Sequence, residues 1–324
     1  MFLRNIALQE RAIAADIIES YDIGVNPLSV ILLCLRPLNE TSTITTFKSY
    51  LDICAALNKV SVLYRGEAIV SMRGEDLAAM NYFRHGLMPF QGMNLDTDNF
   101  RRCCILPIPM GRFMYDGSTC FPATRRGELI LEADWDVADT GYDGMRFSME
   151  TIELPGASPT EYEKRVQIAQ TNGSTGDTDM DLPATGNLIR GVLLFGTTGF
   201  TGAAPAPSWG RLKLLLDNVE AGYSNCDWET LQMEHSLLGR TTPSYDAHQH
   251  RVDATAAVAT QQTIAGTMSE VGRGGWEKYA FMNLDPTWDD QHSLVTSGKS
   301  RLLIRANIET ADAVRAIPIE VIKL

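Results

Sequence analysis

The chain has 324 residues, 44% of them hydrophobic, and a formal net charge of −12 from 28 basic and 40 acidic side chains. That much apolar material builds one large core or two ordinary ones without help from disulfides or metal. Cations scattered through an acidic excess exclude a nucleic-acid-coating surface, and no apolar run approaches the roughly 20 residues of a membrane-spanning helix.

In chain order, "MFLRNIALQER" (1–11) carries Arg4 but has neither a continuous apolar stretch nor a small-residue cleavage site, so it is not read as a secretory signal. "NPLSVILLCLRP" (26–37) is an apolar strand. The long connection after it contains "TTFKSYLDICAAL" (45–57), where Phe47, Leu51 and Cys54 share a helical face. "KVSVLYRG" (59–66) alternates, with Val60, Val62 and Tyr64 on one side, and "GEDLAAMNYF" (74–83) reads as a helix. "GELILEADWD" (127–136) turns Leu129, Leu131, Ala133 and Trp135 to one face, the mark of a half-solvated antiparallel strand, and "TIEL" (151–154) follows.

The order then repeats. "NLIRGVLLFG" (187–196) is an apolar strand, "GTTGFTGAAPAPSWG" (196–210) a loop, and "RLKLLLDN" (211–218) alternates on Leu212, Leu214 and Leu216. "CDWETLQMEHSL" (226–237) places Trp228, Leu231 and His235 on a helical stripe that Leu238 continues. "SRLLIRANIE" (300–309) lines up with 127–136, and "VIKL" (321–324) with "TIEL". Between the halves lies "LPGASPTEY" (154–162), which neither a helix nor a central strand tolerates. The expectation is an all-β chain of two tandem antiparallel jelly-roll sandwiches, residues 1–156 and 157–324, with a few short helices in the connections and no sheet running across the connector.

Catalytic patterns are missing from the sequence. His248 and His250 give an H-x-H spacing, but the Glu that a metal-binding cupin needs a few residues on is absent from Arg251 to Thr255 and the flanks read as loop. "DTDMD" has the carboxylate spacing of a calcium loop at Asp177, Asp179 and Asp181, yet Leu182 and Leu188 stand where a Gly and a bidentate Glu belong, so it reads as a solvated acidic turn. "VGRGGW" (271–276) lacks the strand and capped helix of a phosphate loop. Cys34, Cys54, Cys103, Cys104, Cys120 and Cys226 form no C-x-x-C pair and are read as reduced, buried thiols. The expectation is no catalytic set, no cofactor and no metal site. The segment 244–275 has no sustained period and is expected to be an excursion at a barrel end. Phe200, Trp209 and Trp288 stand in loops and are candidates for a subunit interface. The alternative is a carbohydrate-binding or carbohydrate-active double jelly roll, with Trp209 and Trp288 as stacking platforms beside Asp285, Asp289 and Asp290.

The stretches "LIRGVLLFG" (188–196) and "RLKLLLDNVEAGYSNCDWETLQ" (211–232), matched by "DIGVNPLSVILLCLRP" (22–37) and "KVSVLYRGEAIVSMRGEDL" (59–77), carry a resemblance over most of the chain. The sequence resembles the double jelly-roll major capsid proteins of tailless icosahedral viruses, most of all the branch from small lipid-containing bacteriophages. The resemblance implies a structural protein of the virion, made in the host cytoplasm, whose trimers form pseudo-hexagonal capsomers. Its implied partners are the other two subunits, neighbouring capsomers, minor capsid or vertex proteins and an underlying viral membrane, with no direct nucleic-acid contact.

Overall fold

The structure, a computed structural model, describes residues 1–13, 16–38, 47–48, 50–86, 90–91, 103–137, 144–199, 206–237, 250–251 and 278–324. The first half runs β1 (Leu3–Ile13), β2 (Ile17–Asp22), β3 (Leu28–Leu38), the short β4 (Phe47–Lys48), α1 (Tyr50–Ala55), β5 (Leu57–Tyr64), β6 (Glu67–Met72), α2 (Gly74–His85), the short β7 (Phe90–Gln91), β8 (Cys104–Pro109), β9 (Leu129–Trp135) and β10 (Gly144–Glu153). The second half runs β11 (Glu161–Val166), β12 (Ile168–Thr171), β13 (Gly176–Leu182), β14 (Leu188–Gly196), β15 (Trp209–Leu216), β16 (Val219–Glu220), β17 (Cys226–Asp227), α3 (Trp228–Leu237), β18 (His250–Arg251), β19 (Tyr279–Asn283), β20 (Leu294–Val295), β21 (Leu302–Ile308) and β22 (Ala313–Lys323).

Hydrogen-bonded order shows the repeat directly. One sheet of the first half runs β1-β10-β3-β8, and the matching sheet of the second runs β11-β22-β14-β19. Facing them are β2-β9-β5-β6 and β13-β21-β15-β16. Each half therefore lays eight strands into two antiparallel sheets in the same jelly-roll order, as expected from the alternating segments. Both β5-β6 and β15-β16 close on two-residue turns with left-handed backbones, Arg65 (φ 51) and Gly66 (φ 86) in one and Asp217 (φ 51) and Asn218 (φ 65) in the other. Such turns match the twist of the strands they join.

Two cores follow from the alternation. In the first barrel Leu129, Leu131, Ala133 and Trp135 of β9 face Leu33, Leu35, Phe147 and Met149, all buried. In the second, Leu212, Leu214 and Leu216 pack with Leu302, Ile304, Trp209 and Trp228.

Two expectations are corrected here. A sheet does run across the connector, because β11 pairs in parallel with β6 through Arg165 opposite Val70 and Val166 opposite Ser71. Each strand is otherwise the edge of its own barrel's sheet, and the pairing satisfies backbone groups that an open edge leaves bare. The acidic segment 177–181 is strand β13, not a turn: Met180 and Leu182 point into the core while Asp177, Asp179 and Asp181 point out to Asn307, Arg305 and Arg301 of β21. Period two in the carboxylates was period two in the backbone.

Candidate functional site

The densest chemistry lies where the two barrels meet, and α2 positions it. Gly74 starts this helix where nothing larger fits, since a Cβ there would lie 2.2 Å from the Cys54 carbonyl oxygen. Glu75 and Asp76 occupy the first turn and Arg84 and His85 the last, matching the helix dipole, and Gly86 ends it in the left-handed region at φ 66. Nearly every residue of α2 is buried, because one side covers the first barrel and the other lies on the outward face of the second barrel's β14-β19-β22 sheet. Leu193, Phe195, Tyr279, Phe281, Ile317 and Ile319 of that face accordingly join the first barrel's hydrophobic core.

Two ionic clusters fasten this seam. At the N-terminal end of α2, Arg315 of β22 donates to Asp76 (2.6 and 3.0 Å) and to Glu75 (3.0 Å), its guanidinium lies 3.4 Å from the Phe195 ring centre, and the Tyr279 hydroxyl donates to Asp76 (2.8 Å). Burial, reinforced by neighbouring Asp76, raises the Glu75 carboxyl above its ordinary value, and burial next to Asp76 holds the Tyr279 phenol well up.

At the other end Glu163 of β11, wholly buried, accepts from Arg84 (2.7 Å), Arg165 (2.7 Å) and Arg190 (3.0 Å). Arg190 continues to Glu161 (2.5 Å) and Asp290 (2.7 and 2.9 Å), and Arg112 of the first barrel donates to Asp285 (2.9 Å), to Asp290 and to the Trp288 carbonyl (2.8 Å). Four guanidiniums thus meet four carboxylates, and the buried network is neutral. Burial alone would push the Glu163 carboxyl up, but the three guanidiniums hold it well below the usual range. Burial pulls Arg84 down to about 10 against the pull of Glu163, so it stays charged at neutral pH.

Trp288 closes this end of the seam, half-buried and with a left-handed backbone at φ 60. Its ring stacks on Phe113 (5.2 Å between centres), with His85 at 5.6 Å and the Arg84 guanidinium 5.6 Å over its face. The recess lined by Arg84, Arg190, Phe281, Asn283, Asp285 and Trp288 is no larger than one water. Asp285 and Asp290 are spent on arginines, and Asp289 is exposed and closes its own turn through Thr287 and the Gln291 amide. That recess has no room for a sugar ring.

Trp209 is not a loop residue. It opens β15 fully buried, donates from Nε1 to the Phe195 carbonyl (2.9 Å) and stacks on Trp228 at 6.4 Å. A side chain with no exposed surface has none to offer a neighbour. Phe200, His248 and the 271–276 turn lie outside the described residues, as does all of 244–275 except β18. The six cysteines form no disulfide; Cys34, Cys54, Cys104 and Cys120 are buried and Cys103 and Cys226 half-exposed. Among the described residues no group of His, Cys, Asp or Glu is arranged to hold a metal, and no helix is long and apolar enough to cross a membrane.

No known family profile matches the sequence, and no curated protein matches it. Solved structures do. The STIV major capsid protein is 12% identical at a TM-score of 0.69, covering 100% of this chain and 97% of its own. The major capsid protein from bacteriophage PM2 is 11% identical at 0.61, with the same coverage of 100% and 97%. A chain of the Sulfolobus Turreted Icosahedral Virus structure is 13% identical at 0.69, covering 99% of this chain and 91% of its own. The chain has the double jelly-roll fold of these major capsid proteins over its whole length.

Proposed function

We propose that the protein is the major capsid protein of an icosahedral virus, a structural component of the virion with no catalytic role. The observation that carries this reading is a pair of eight-stranded jelly rolls in the same strand order, joined by α2 and two buried ionic clusters, which we divide into domains 1–156 and 157–324. Rigid walls with variable end loops suit a shell subunit, whose contacts can change without disturbing the cores. Three copies of two similar barrels supply six near-equivalent walls, which a six-fold lattice position needs. Closed symmetry then requires a heterologous contact, the first barrel of one subunit against the second of the next. Neighbouring capsomers, minor or vertex proteins and an underlying membrane are the partners such a capsomer would have, and no cofactor is required.

Phe200 and Trp288 remain interface candidates in this reading, Trp288 beside the exposed Phe113. Sedimentation of the purified chain, followed by electron microscopy, is the test. Trimers with a hexagonal outline are expected, and a chain that stays monomeric at high concentration and neutral pH overturns the proposal. A sugar-dependent rise in melting temperature without assembly would favour the carbohydrate reading instead.

A further inference from the structure

The two halves carry the same elements, but only one of two equivalent seams is made inside the chain. Helix α2 and the edge strand β6 of the first barrel lie on the outward β14-β19-β22 face and on edge strand β11 of the second. Their counterparts in the repeat are α3 with β16 and β17 on one side, and the outward β3-β8-β10 face with edge strand β1 on the other. Among the described residues, β1 pairs only with β10, and β16 and β17 pair only with β15.

The side chains agree with a seam left open. Aligned on the buried pair Leu77 and Leu231, the α2 residues Glu75, Asp76 and Ala79 match Glu229, Thr230 and Met233 of α3. Glu75 and Asp76 are held by Arg315 of the second barrel, and Asp76 and Ala79 are fully buried. The α3 set is exposed, Met233 by 54%. On the receiving side, Leu32, Ile105 and Pro107 form a half-exposed apolar strip, with Cys103 at its end and Arg36 and Arg146 beside it. Glu10 of edge strand β1 lies 3.5 Å from Arg36 and 3.2 Å from Arg146, and Arg36 also donates to the Ser148 hydroxyl (2.7 Å). Acid on the helix and arginine on the sheet is the combination that Glu75, Asp76 and Arg315 use inside the chain.

We infer that the outward β3-β8-β10 face and β1 edge of the first barrel receive α3 and the β16-β17 edge of a second copy of this chain, repeating between subunits the seam that α2 makes within one. This rests on the trimer reading and assigns it a surface. In the trimer, a ring built so alternates internal and external seams and covers the edges of β1, β6, β11 and β16.

Cys103 reports on the receiving face without engineering. Maleimide labelling of the wild-type trimer should leave Cys103 unmodified, whereas Met233→Arg, on an exposed helix position, should sediment as a folded monomer with Cys103 labelled. Glu229→Arg is the second variant, should Met233→Arg fail to fold. If the wild type is a trimer yet Cys103 labels freely and both variants remain trimeric, the surface assignment is wrong while the trimer stands. If the wild type itself is a monomer, the trimer reading fails and this inference with it.

Discussion

Helices α2 and α3 hold the same place in two copies of one fold, yet they live in different surroundings. The first has been drawn into the protein: Asp76, bound by Arg315 and Tyr279 of the second barrel, and Ala79, one turn on, are both fully buried. The second keeps its inner side, Trp228 and Leu231, in the core and shows Glu229, Thr230 and Met233 to solvent. Duplication gave both helices a surface to cover, and the single chain satisfies one of them. Burial of an element in a repeat protein is therefore set by its neighbours as much as by its own pattern, since both helices need the same inner stripe.

The largest loss of stability is expected from damage to the seam that α2 makes. Replacing Glu163 by Gln leaves Arg84, Arg165 and Arg190 facing one another with no central carboxylate. Removing one partner from a buried ionic group costs about 3–5 kcal/mol, so urea denaturation should show a loss of that size. No mutation of α3's outer side should approach it in the isolated chain. Trp209→Ala belongs in the same class: it empties the contact with Trp228 deep in the second barrel and should cost about 3–5 kcal/mol as a cavity. Loss of soluble protein with Trp209→Ala is the expected reading of an expression trial, whereas Trp288→Ala, half-exposed, should remain folded.

Acid should separate the two ionic clusters of the seam. The Glu163 carboxyl is held below its ordinary value in the folded chain, so its contribution is complete above the unfolded value of about 4.3 and is lost as pH falls below it. Glu75 is shifted the other way by burial; the folded chain takes its proton more readily, and its contribution is present below about 4.3 and lost as pH rises through its higher folded value. The urea midpoint followed from about pH 6 to about pH 3 should therefore fall more gently in Glu163→Gln than in wild type, and more steeply in Glu75→Gln. Equal slopes in all three would mean that neither cluster governs the acid response.

The barrels were legible in the sequence and the seam was not, for physical reasons. A strand that is half buried writes its alternation into consecutive residues, as at Leu129, Leu131, Ala133 and Trp135, and a duplicated fold writes it twice. The same rule read more strictly would have made 177–181 a strand, since Met180 and Leu182 supply the inward side. Trp209 was misplaced because Pro207 and Ser208 before it read as loop, although it stands on the face of Leu212 and Leu214 once the irregular pairing between Trp209 and Leu212 is allowed for. The ionic seam left no local signal. Arg84, Arg112, Glu163, Arg190 and Asp290 come from separate elements spread over most of the chain. Within β11, Glu163 and Arg165 look like the wet face of a strand, and only the fold shows both fully buried.

The finest test sets one residue type at the two equivalent positions. Ala79 of α2 has no exposed surface, so Ala79→Met drives three extra heavy atoms and a flexible stem into filled space, which should cost about 1–3 kcal/mol. Met233 of α3 is 54% exposed in the single chain, so Met233→Ala should change its stability by no more than about 0.5 kcal/mol, with helix propensity slightly in its favour. Denaturation of each variant well below the concentration at which subunits associate isolates the effect within one chain. Equal penalties would mean that α3 is already covered in the isolated chain. A penalty for Met233→Ala that emerges only as concentration rises would place the cover on a second subunit, because an interface contact stabilises by mass action and is silent in the monomer.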